Sequence, residues 1–224
     1  MSDTAHDQLT VVDRTEQGQH LEQQHPEHQH PEHQHLERQL LEHIATAEAA
    51  RGLLPLVREV ALLLCTAFER GGILYTFGNG GSAADAQHFA GEIIGHYTRD
   101  RRPLGAVALS TDPTTVTCIA NDFSFDEVFA RQVTGLTRPG DVVVAFSTSG
   151  RSPNIVAGLA AARDRGATTV LFGGGDGGPA ARFADHVLLS PSTSTPRIQE
   201  LHTFLLHAIS ELVDAWAAGD REYQ

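Results

Sequence analysis

The chain has 224 residues and a formal net charge of −12, and all of its 16 basic residues are arginine. The absence of lysine excludes lysine Schiff-base enzymes, pyridoxal enzymes, P-loop NTPases and lysine-dependent kinases. The negative charge argues against a nucleic-acid partner. No apolar run approaches the roughly 20 residues of a membrane span, and the polar N-terminus predicts no secretory signal. Cys65 and Cys118 are expected to be buried thiols, which predicts a reducing, cytoplasmic location.

Residues 1–35 differ from the rest of the chain, since they are polar and contain seven of the 13 histidines. A five-residue repeat begins at Gln19, and this period matches neither a helix nor a strand. Pro26 and Pro31 interrupt any helix. We therefore predict a disordered acidic tail, although dense imidazoles leave metal scavenging as an alternative. Residues 219–224 are predicted to be a short C-terminal tail.

Helical periodicity begins at Leu36, and a second apolar helix is predicted at 53–69. Five β-rich runs follow, at 73–77, 105–109, 141–146, 168–172 and 186–189. Helical stretches are predicted at 82–96, 113–134, 152–166, 178–184 and 197–218. This alternation predicts that residues 36–218 form one three-layer α/β/α sandwich with a five-stranded parallel sheet. The two leading helices cannot bury both faces on one sheet, which predicts oligomerisation through them.

Two loops that directly follow predicted strands are candidate ligand sites. The first is Phe77-Gly78-Asn79-Gly80-Gly81-Ser82, in which Ser82 is expected to cap the next helix. The second is Ser147-Thr148-Ser149-Gly150-Arg151-Ser152-Pro153, which places four hydroxyls beside a helix start. Such loops would bind a phosphate without lysine, or they are two ordinary capped turns. Their position at the carboxyl ends of parallel strands favours a ligand site.

Two polar sets lie on predicted helices. His88 and Glu92 are four residues apart and share a helix face, so they can hold a ligand or a metal, or form a surface hydrogen bond. Gln199 and His207 lie within an apolar stripe, and eight residues rise about 12 Å along a helix. Both can contact one ion only if Gln199 lies in an irregular first turn, or if they come from different chains.

Several of these segments, taken together, resemble one family. They are Asn79-Gly80-Gly81-Ser82-Ala83-Ala84-Asp85-Ala86-Gln87-His88-Phe89 with Glu92, Ala120-Asn121-Asp122-Phe123, Ser147-Thr148-Ser149-Gly150 with Ser152, and Arg197-Ile198-Gln199-Glu200 with His207. In this order they resemble the sugar isomerase (SIS) domain of phosphoheptose isomerases, over about residues 36–218. The family converts sedoheptulose 7-phosphate to D-glycero-D-manno-heptose 7-phosphate, as homotetramers with active sites between subunits.

The resemblance implies a role for each matching residue. Phosphate contacts are implied for Ser147, Thr148, Ser149 and Ser152, and other substrate contacts for Asn79, Gly80, Gly81, Ser82, Glu92, Asn121, Asp122 and Gln199. One Zn²⁺ per subunit is implied, with His88, Glu92, Gln199 and His207 as its ligands. Glu92 and His207 would also move protons through an enediol.

Two other readings of the resemblance stay open. One is a non-catalytic SIS protein that binds a partner protein, like the replication-initiator-associating protein; that relative lacks a Glu and a His at the positions of Glu92 and His207. The other is a phosphosugar-sensing module, although the acidic N-terminal segment is unlike a DNA-binding domain. His96, Gly174 and Ser194 depart from the usual family pattern around the expected ligand, which affects the expected sugar preference.

Overall fold

The computed structural model describes residues 31–220, and the chain divides into two units between Leu41 and Glu42. Helix α1 covers this boundary, and the secondary structure elements follow in alternating order. The helices are α1 (Pro31–Ala49), α2 (Leu54–Glu69), α3 (Gly81–Ile94), α4 (Pro113–Asp122), α5 (Val128–Leu136), α6 (Pro153–Asp164) and α7 (Thr195–Ala217). The strands are β1 (Leu74–Gly78), β2 (Ala106–Ala108), β3 (Val142–Ser147), β4 (Thr168–Gly174) and β5 (His186–Ser190).

The five strands form one parallel sheet in the order β2-β1-β3-β4-β5. β1 and β3 are adjacent at its centre, and their residues are buried. Parallel strands that are covered on both faces are expected to be apolar throughout, as the Val-Val-Val-Ala-Phe run of β3 is. The predicted five-stranded α/β/α sandwich is therefore confirmed.

Successive residues of each strand contribute to different cores, because side chains alternate between the two faces of a sheet. Leu74 and Phe146 pack in the core beneath α2, α3 and α7. Tyr75 and Ala145 pack in the core beneath α4, α5 and α6. Because α3 and α7 lie in the same layer, residues of two helices more than 100 positions apart in sequence can meet at one end of the sheet.

Three details differ from the sequence-based predictions. Helix α1 already includes Pro31, the first described residue, so residues 31–35 of the segment predicted as a tail are helical. The predicted helix 113–134 is two helices, separated by a 3₁₀ turn at Phe125–Glu127. Cys118 is exposed rather than buried, and its thiol donates to the Asp122 carboxylate one turn later (3.5 Å).

The predicted N- and C-terminal tails and the predicted lack of a membrane span are considered against the described residues. The repeat region before Pro31 and residues 221–224 lie outside the described residues. Among residues 31–220, no helix combines the length and the hydropathy that crossing a membrane requires.

Candidate active site

The two glycine- and serine-containing loops lie side by side, because they follow the adjacent central strands β1 and β3. The first loop turns at Gly80, whose φ of +55° favours glycine, and α3 begins at the next residue. Ser82 is thus inside the first turn of α3 and is not its N-terminal cap, which corrects the sequence-based expectation. The Ser82 side chain is buried and faces the cavity described next.

A small polar cavity of about 210 Å³ lies between these loops. It is lined by Asn79, Ser82, Phe146, Ser147, Thr148, Ser149, Ser152, Thr195 and Gln199. Ser82, Ser152 and Thr195 belong to, or immediately precede, the first turns of α3, α6 and α7. Helix N-termini carry partial positive charge and free N–H groups, so three of them at one cavity favour an anion in the absence of lysine.

The hydroxyls of the second loop are oriented by its own backbone. The Ser147 hydroxyl oxygen accepts from the Gly150 N–H (3.0 Å), and the Ser149 hydroxyl oxygen accepts from the Arg151 N–H (3.3 Å). Each hydroxyl therefore keeps its proton to donate to an anion in the cavity. Ser152 immediately precedes Pro153, the first residue of α6, so the sequence-predicted phosphate residues share one cavity.

Two amide side chains of this region have close neighbours that the sequence-based analysis did not predict. Asn79 and Asn154 exchange two hydrogen bonds of 2.9 Å, so the buried Asn154 holds the first loop to the start of α6. Gln199 packs against Gly81, where an added Cβ would lie 2.5 Å from Nε2 of Gln199. Asn154 directly follows Ser152-Pro153, in the first turn of α6, and that position beside the serine loop was its one visible signal.

A second cluster lies one helical turn or more further along the same helices. His88 Nε2 lies 2.9 Å from Glu92 Oε1 on α3, and His207 Nε2 of α7 lies 3.2 Å from His88 Nε2. One ligand atom from each of the three residues lies within 4.8 Å of the others. Burial lowers the pKa of His207, the neighbouring His88 lowers it further, and Glu92 opposes the shift. A neutral His207 is the form that can bind a metal or accept a proton.

These three residues fit a zinc ion in both donor type and spacing. Ligands at about 2.0–2.1 Å in a tetrahedron around zinc are roughly 3.3 Å apart, close to the two separations above. The His88 and Glu92 side chains are 40% and 20% exposed, so a position for a further ligand faces solvent.

The geometry of α7 keeps Gln199 away from this cluster within one chain. It lies on α7 eight residues before His207, and α7 is helical from Thr195 onward, so the rise of about 12 Å remains. The first of the two routes considered from sequence, an irregular first turn, is therefore wrong. Gln199 lines the anion cavity instead, and a shared ion would require a ligand from another chain.

Asn121 and Asp122 lie apart from both clusters, exposed at the end of α4. The Asn121 amide donates to the Asp122 carboxylate (2.8 Å). Within one chain, the predicted site residues thus form two groups, the serine-lined cavity and the His88–Glu92–His207 cluster. Asn121 and Asp122 belong to neither group.

Two of the departures from the family pattern have a structural setting. At Gly174, an added Cβ would overlap the Ile198 side chain and lie 2.7 Å from the Thr148 carbonyl oxygen. The packing of α7 on the serine loop thus requires glycine there. Ser194 immediately precedes α7, and its N–H donates to the Ser192 hydroxyl (3.1 Å).

Comparison with known proteins gives a consistent result. A family model described as the SIS domain matches residues 37–174. The chain is 47% identical over 175 residues to the phosphoheptose isomerase of Bradyrhizobium sp. strain BTAi1, covering 77% of this chain and 88% of that one. The solved structure of the phosphoheptose isomerase of Neisseria gonorrhoeae is 39% identical with a TM-score of 0.77, covering 81% of this chain and 98% of that one. That of Francisella tularensis is 31% identical with a TM-score of 0.78, covering 81% and 97%.

Proposed function

Since the chain belongs to the phosphoheptose isomerases, a family of SIS-domain enzymes, we propose that it converts sedoheptulose 7-phosphate to D-glycero-D-manno-heptose 7-phosphate. The observation that carries this proposal is the pairing of a lysine-free anion cavity with a His–Glu–His cluster on the same two helices, α3 and α7. The alternative, a non-catalytic SIS protein that binds a partner protein, is disfavoured. Glu92 and His207 are both present, and their side chains lie 2.9 and 3.2 Å from His88 Nε2.

The substrate phosphate would occupy the serine-lined cavity. The hydroxyls of Ser147, Thr148, Ser149 and Ser152, and the N-termini of α3, α6 and α7, would donate to its oxygens. Asn79 makes one hydrogen bond to Asn154 through its amide nitrogen and one through its amide oxygen. It would contact the sugar through the second N–H of the amide and the remaining lone pair of the oxygen. This anchoring directs carbons 1 and 2 of the substrate away from the cavity and along α3 and α7.

An aldose–ketose isomerisation removes a proton beside a carbonyl and returns it to the neighbouring carbon. Glu92 would carry this proton between the two carbons, and His207 would manage the protons of the two oxygens. The lowered pKa of His207 keeps its imidazole neutral near pH 7, so that one ring nitrogen can bind the metal and the N–H of the other can donate a proton. Zn²⁺ held by His88, Glu92 and His207 would supply stabilisation of negative charge on the substrate oxygen.

Three finer parts of the proposal need more than one chain. Gln199 would complete the zinc ligands, and Asn121 and Asp122 would contact the sugar of a neighbouring subunit, in a homotetramer with intersubunit active sites. The exposed position of Asn121 and Asp122 supports this arrangement. We also propose a cytoplasmic location, which the two unpaired thiols support.

The proposal is tested with Glu92→Gln and His207→Asn, assayed for isomerisation, zinc content and oligomeric state. Glu92→Gln keeps the side-chain shape and an oxygen but removes the base, so kcat should fall at least about 100-fold. His207→Asn should lower kcat similarly and weaken zinc binding, because a nitrogen ligand is lost.

The matched control is Glu59→Gln. Glu59 of α2 also pairs with a histidine, His186 of β5, at 3.2 Å. This change should leave kcat unaltered. Near-normal turnover by folded Glu92→Gln protein would refute the mechanism.

A further inference from the structure

The segment that connects α3 to β2, residues 95–105, is attached to α7 by a buried ion pair. Arg101 Nε donates to Asp214 Oδ1 at 2.6 Å, and the two side chains are 1% and 0% exposed. The Asp214 carboxylate also accepts the backbone N–H groups of Tyr97, Thr98 and Arg99, at 3.3, 2.8 and 2.6 Å. One carboxylate thus determines the path of the first half of this segment.

The same guanidinium holds the end of α3. Arg101 donates to the carbonyl oxygens of Glu92 (2.7 Å) and Gly95 (3.0 Å). The last carbonyls of a helix have no partner within the helix, and Arg101 satisfies two of them. The helical turn that carries Glu92 is therefore connected through Arg101 to Asp214, which lies two turns beyond His207 on α7.

The path of this segment places the Tyr97 ring beside His207. Its ring lies against the His207 imidazole, with centroids 5.3 Å apart and planes inclined by 31°. His207 also contacts His88, with ring centroids 4.8 Å apart and planes inclined by 82°. The His207 imidazole thus contacts two rings, one of which belongs to the segment that Asp214 orders.

The Asp214–Arg101 ion pair also organises the backbone around it. Burial by itself raises the pKa of Asp214, but the N–H groups of Arg99, Thr98 and Tyr97 and the Arg101 guanidinium hold that pKa below its usual value. Replacing a buried ion pair by apolar side chains is often neutral or stabilising. Here the two charged groups satisfy six backbone positions that apolar side chains would leave unpaired.

We propose that Asp214 is a positioning residue of the active site: through Arg101 it fixes the turn that bears Glu92, and through Tyr97 it fixes the ring orientation of His207. The inference rests on the proposed function of Glu92 and His207. Groups behind the direct ligands of a metal commonly change metal affinity or activity by 10- to 100-fold when they are removed.

Four variants separate this role from general stability. Tyr97→Leu removes the ring that packs on His207, and Tyr97→Phe keeps it. Asp214→Asn removes the charge and puts N–H groups opposite N–H groups. The matched control is Glu211→Gln, which lies one turn earlier on α7 and contacts the same segment through Arg99 (2.6 Å) and Thr98 (3.2 Å), but at the surface.

Each variant is measured as the full chain for kcat, KM, Zn²⁺ affinity by competition with a chromophoric chelator, and folding by circular dichroism. We expect Tyr97→Leu and Asp214→Asn to lose about 10- to 100-fold in both Zn²⁺ affinity and kcat. KM should change little, because the anion cavity is formed by other residues. Tyr97→Phe and Glu211→Gln should resemble the unchanged chain.

Three outcomes overturn the inference. One is a folded Tyr97→Leu protein with unchanged Zn²⁺ affinity and kcat. Another is a loss in Tyr97→Phe equal to that in Tyr97→Leu, which would assign the effect to the hydroxyl. The third is a loss in Glu211→Gln equal to that in Asp214→Asn. If Asp214→Asn fails to fold, the Tyr97 variants decide.

Failure of the proposed function is distinguishable from these results. An unchanged chain that binds Zn²⁺ but does not isomerise sedoheptulose 7-phosphate would contradict the proposed function, while the Zn²⁺ affinities still test the positioning role. An unchanged chain that neither binds Zn²⁺ nor isomerises would overturn both.

Discussion

A single buried histidine accounts for an expected dependence of stability on pH. His202 is fully buried, and its Nε2–H donates to the Gly173 carbonyl oxygen (3.1 Å). Its Nδ1 lies 4.0 Å from Asp85 Oδ2, and neither atom has a hydrogen-bond partner among the described residues. Burial lowers the pKa of His202 to about 4, with the bond to Gly173 opposing the shift. The ring is therefore neutral in the folded protein.

We predict that stability falls on acidification and that His202→Gln reduces this fall. Between the unfolded pKa of 6.5 and the folded value of about 4, the unfolded chain binds a proton that the folded chain does not. The contribution is thus complete above pH 6.5 and is lost towards pH 4, at up to about 1.4 kcal/mol per pH unit. Unfolding free energies from pH 7 to 4.5 measure it.

The pH dependence of the unfolding free energy is compared between His202→Gln and the unchanged chain, and both proteins retain Asp85. Burial raises the pKa of Asp85, whose contribution has the opposite sign, and it is present in each protein. His186→Gln, a change of a partly exposed histidine, serves as the control. Identical pH slopes for His202→Gln and the unchanged chain would contradict the prediction.

Ser149 is expected to act in binding rather than in the chemical step. Its hydroxyl lines the anion cavity and is oriented by the Arg151 N–H. A phosphate is present in both the ground state and the transition state, so Ser149→Ala should raise KM and leave kcat nearly unchanged. Steady-state kinetics with sedoheptulose 7-phosphate measure both constants. A reduced kcat with an unchanged KM would assign the hydroxyl a different role.

At the scale of elements, the loop after β3 interlocks with the turn after β4. Gly150 has a φ of +60°, and an added Cβ would overlap the carbonyl oxygen of Gly177. At Gly178, an added Cβ would lie 2.6 Å from the Ser149 carbonyl oxygen. The Ala180 N–H donates to the Gly150 carbonyl oxygen (3.1 Å). The shape of the serine loop therefore depends on a turn about 25 residues later.

We predict that Gly150→Ala destabilises the protein more than Gly175→Ala. The two glycines have nearly equal φ values, +60° and +58°, so the backbone strain of about 1 kcal/mol is common to both. At Gly175, an added Cβ meets no described atom within 4 Å, so only Gly150→Ala adds an overlap with backbone. Thermal unfolding of both variants measures the difference. Equal losses would show that the overlap is relieved without cost.

At the scale of the whole molecule, an apolar groove remains open on the second unit of the chain. It has a volume of about 360 Å³ and lies where α1, α2 and α7 approach. Among its lining residues, Ile44, Leu54 and Phe204 are 44%, 46% and 51% exposed. Exposed apolar surface of this kind marks an interaction site.

We predict a homotetramer in solution that is assembled partly through this groove. Phe204→Glu should dissociate it, because a charge would replace an apolar contact in a desolvated interface. Leu136→Glu is the control, since Leu136 is 44% exposed on α5 in the opposite layer. Sedimentation at micromolar concentration measures both. A monomeric unchanged chain, or a Phe204→Glu protein that assembles normally, would contradict the prediction.

Features that depend on neighbours in sequence could be predicted. The strands, their parallel arrangement and the two ligand loops follow from apolar runs and from the glycines and serines that interrupt them. The break between α4 and α5 could not be predicted in the same way, because neither Pro nor Gly lies between Phe123 and Glu127. Phe123 instead lies under the Arg131 guanidinium at 3.6 Å, a contact formed only after both helices are in place.

The candidate site residues could be selected from the sequence by itself: His88, Glu92 and His207 stand in motifs whose residue types match the proposed chemistry. Only the tertiary structure decided which of them meet. His207 reaches His88 from 119 positions away, while Gln199 of the same helix lies at the anion cavity. Tyr97 and Asp214 gave no signal, because a contact between an irregular segment and a distant helix leaves no periodicity. Periodicity reports the burial of a face, and the packing of α3 on α7 determines which atoms on those faces come together.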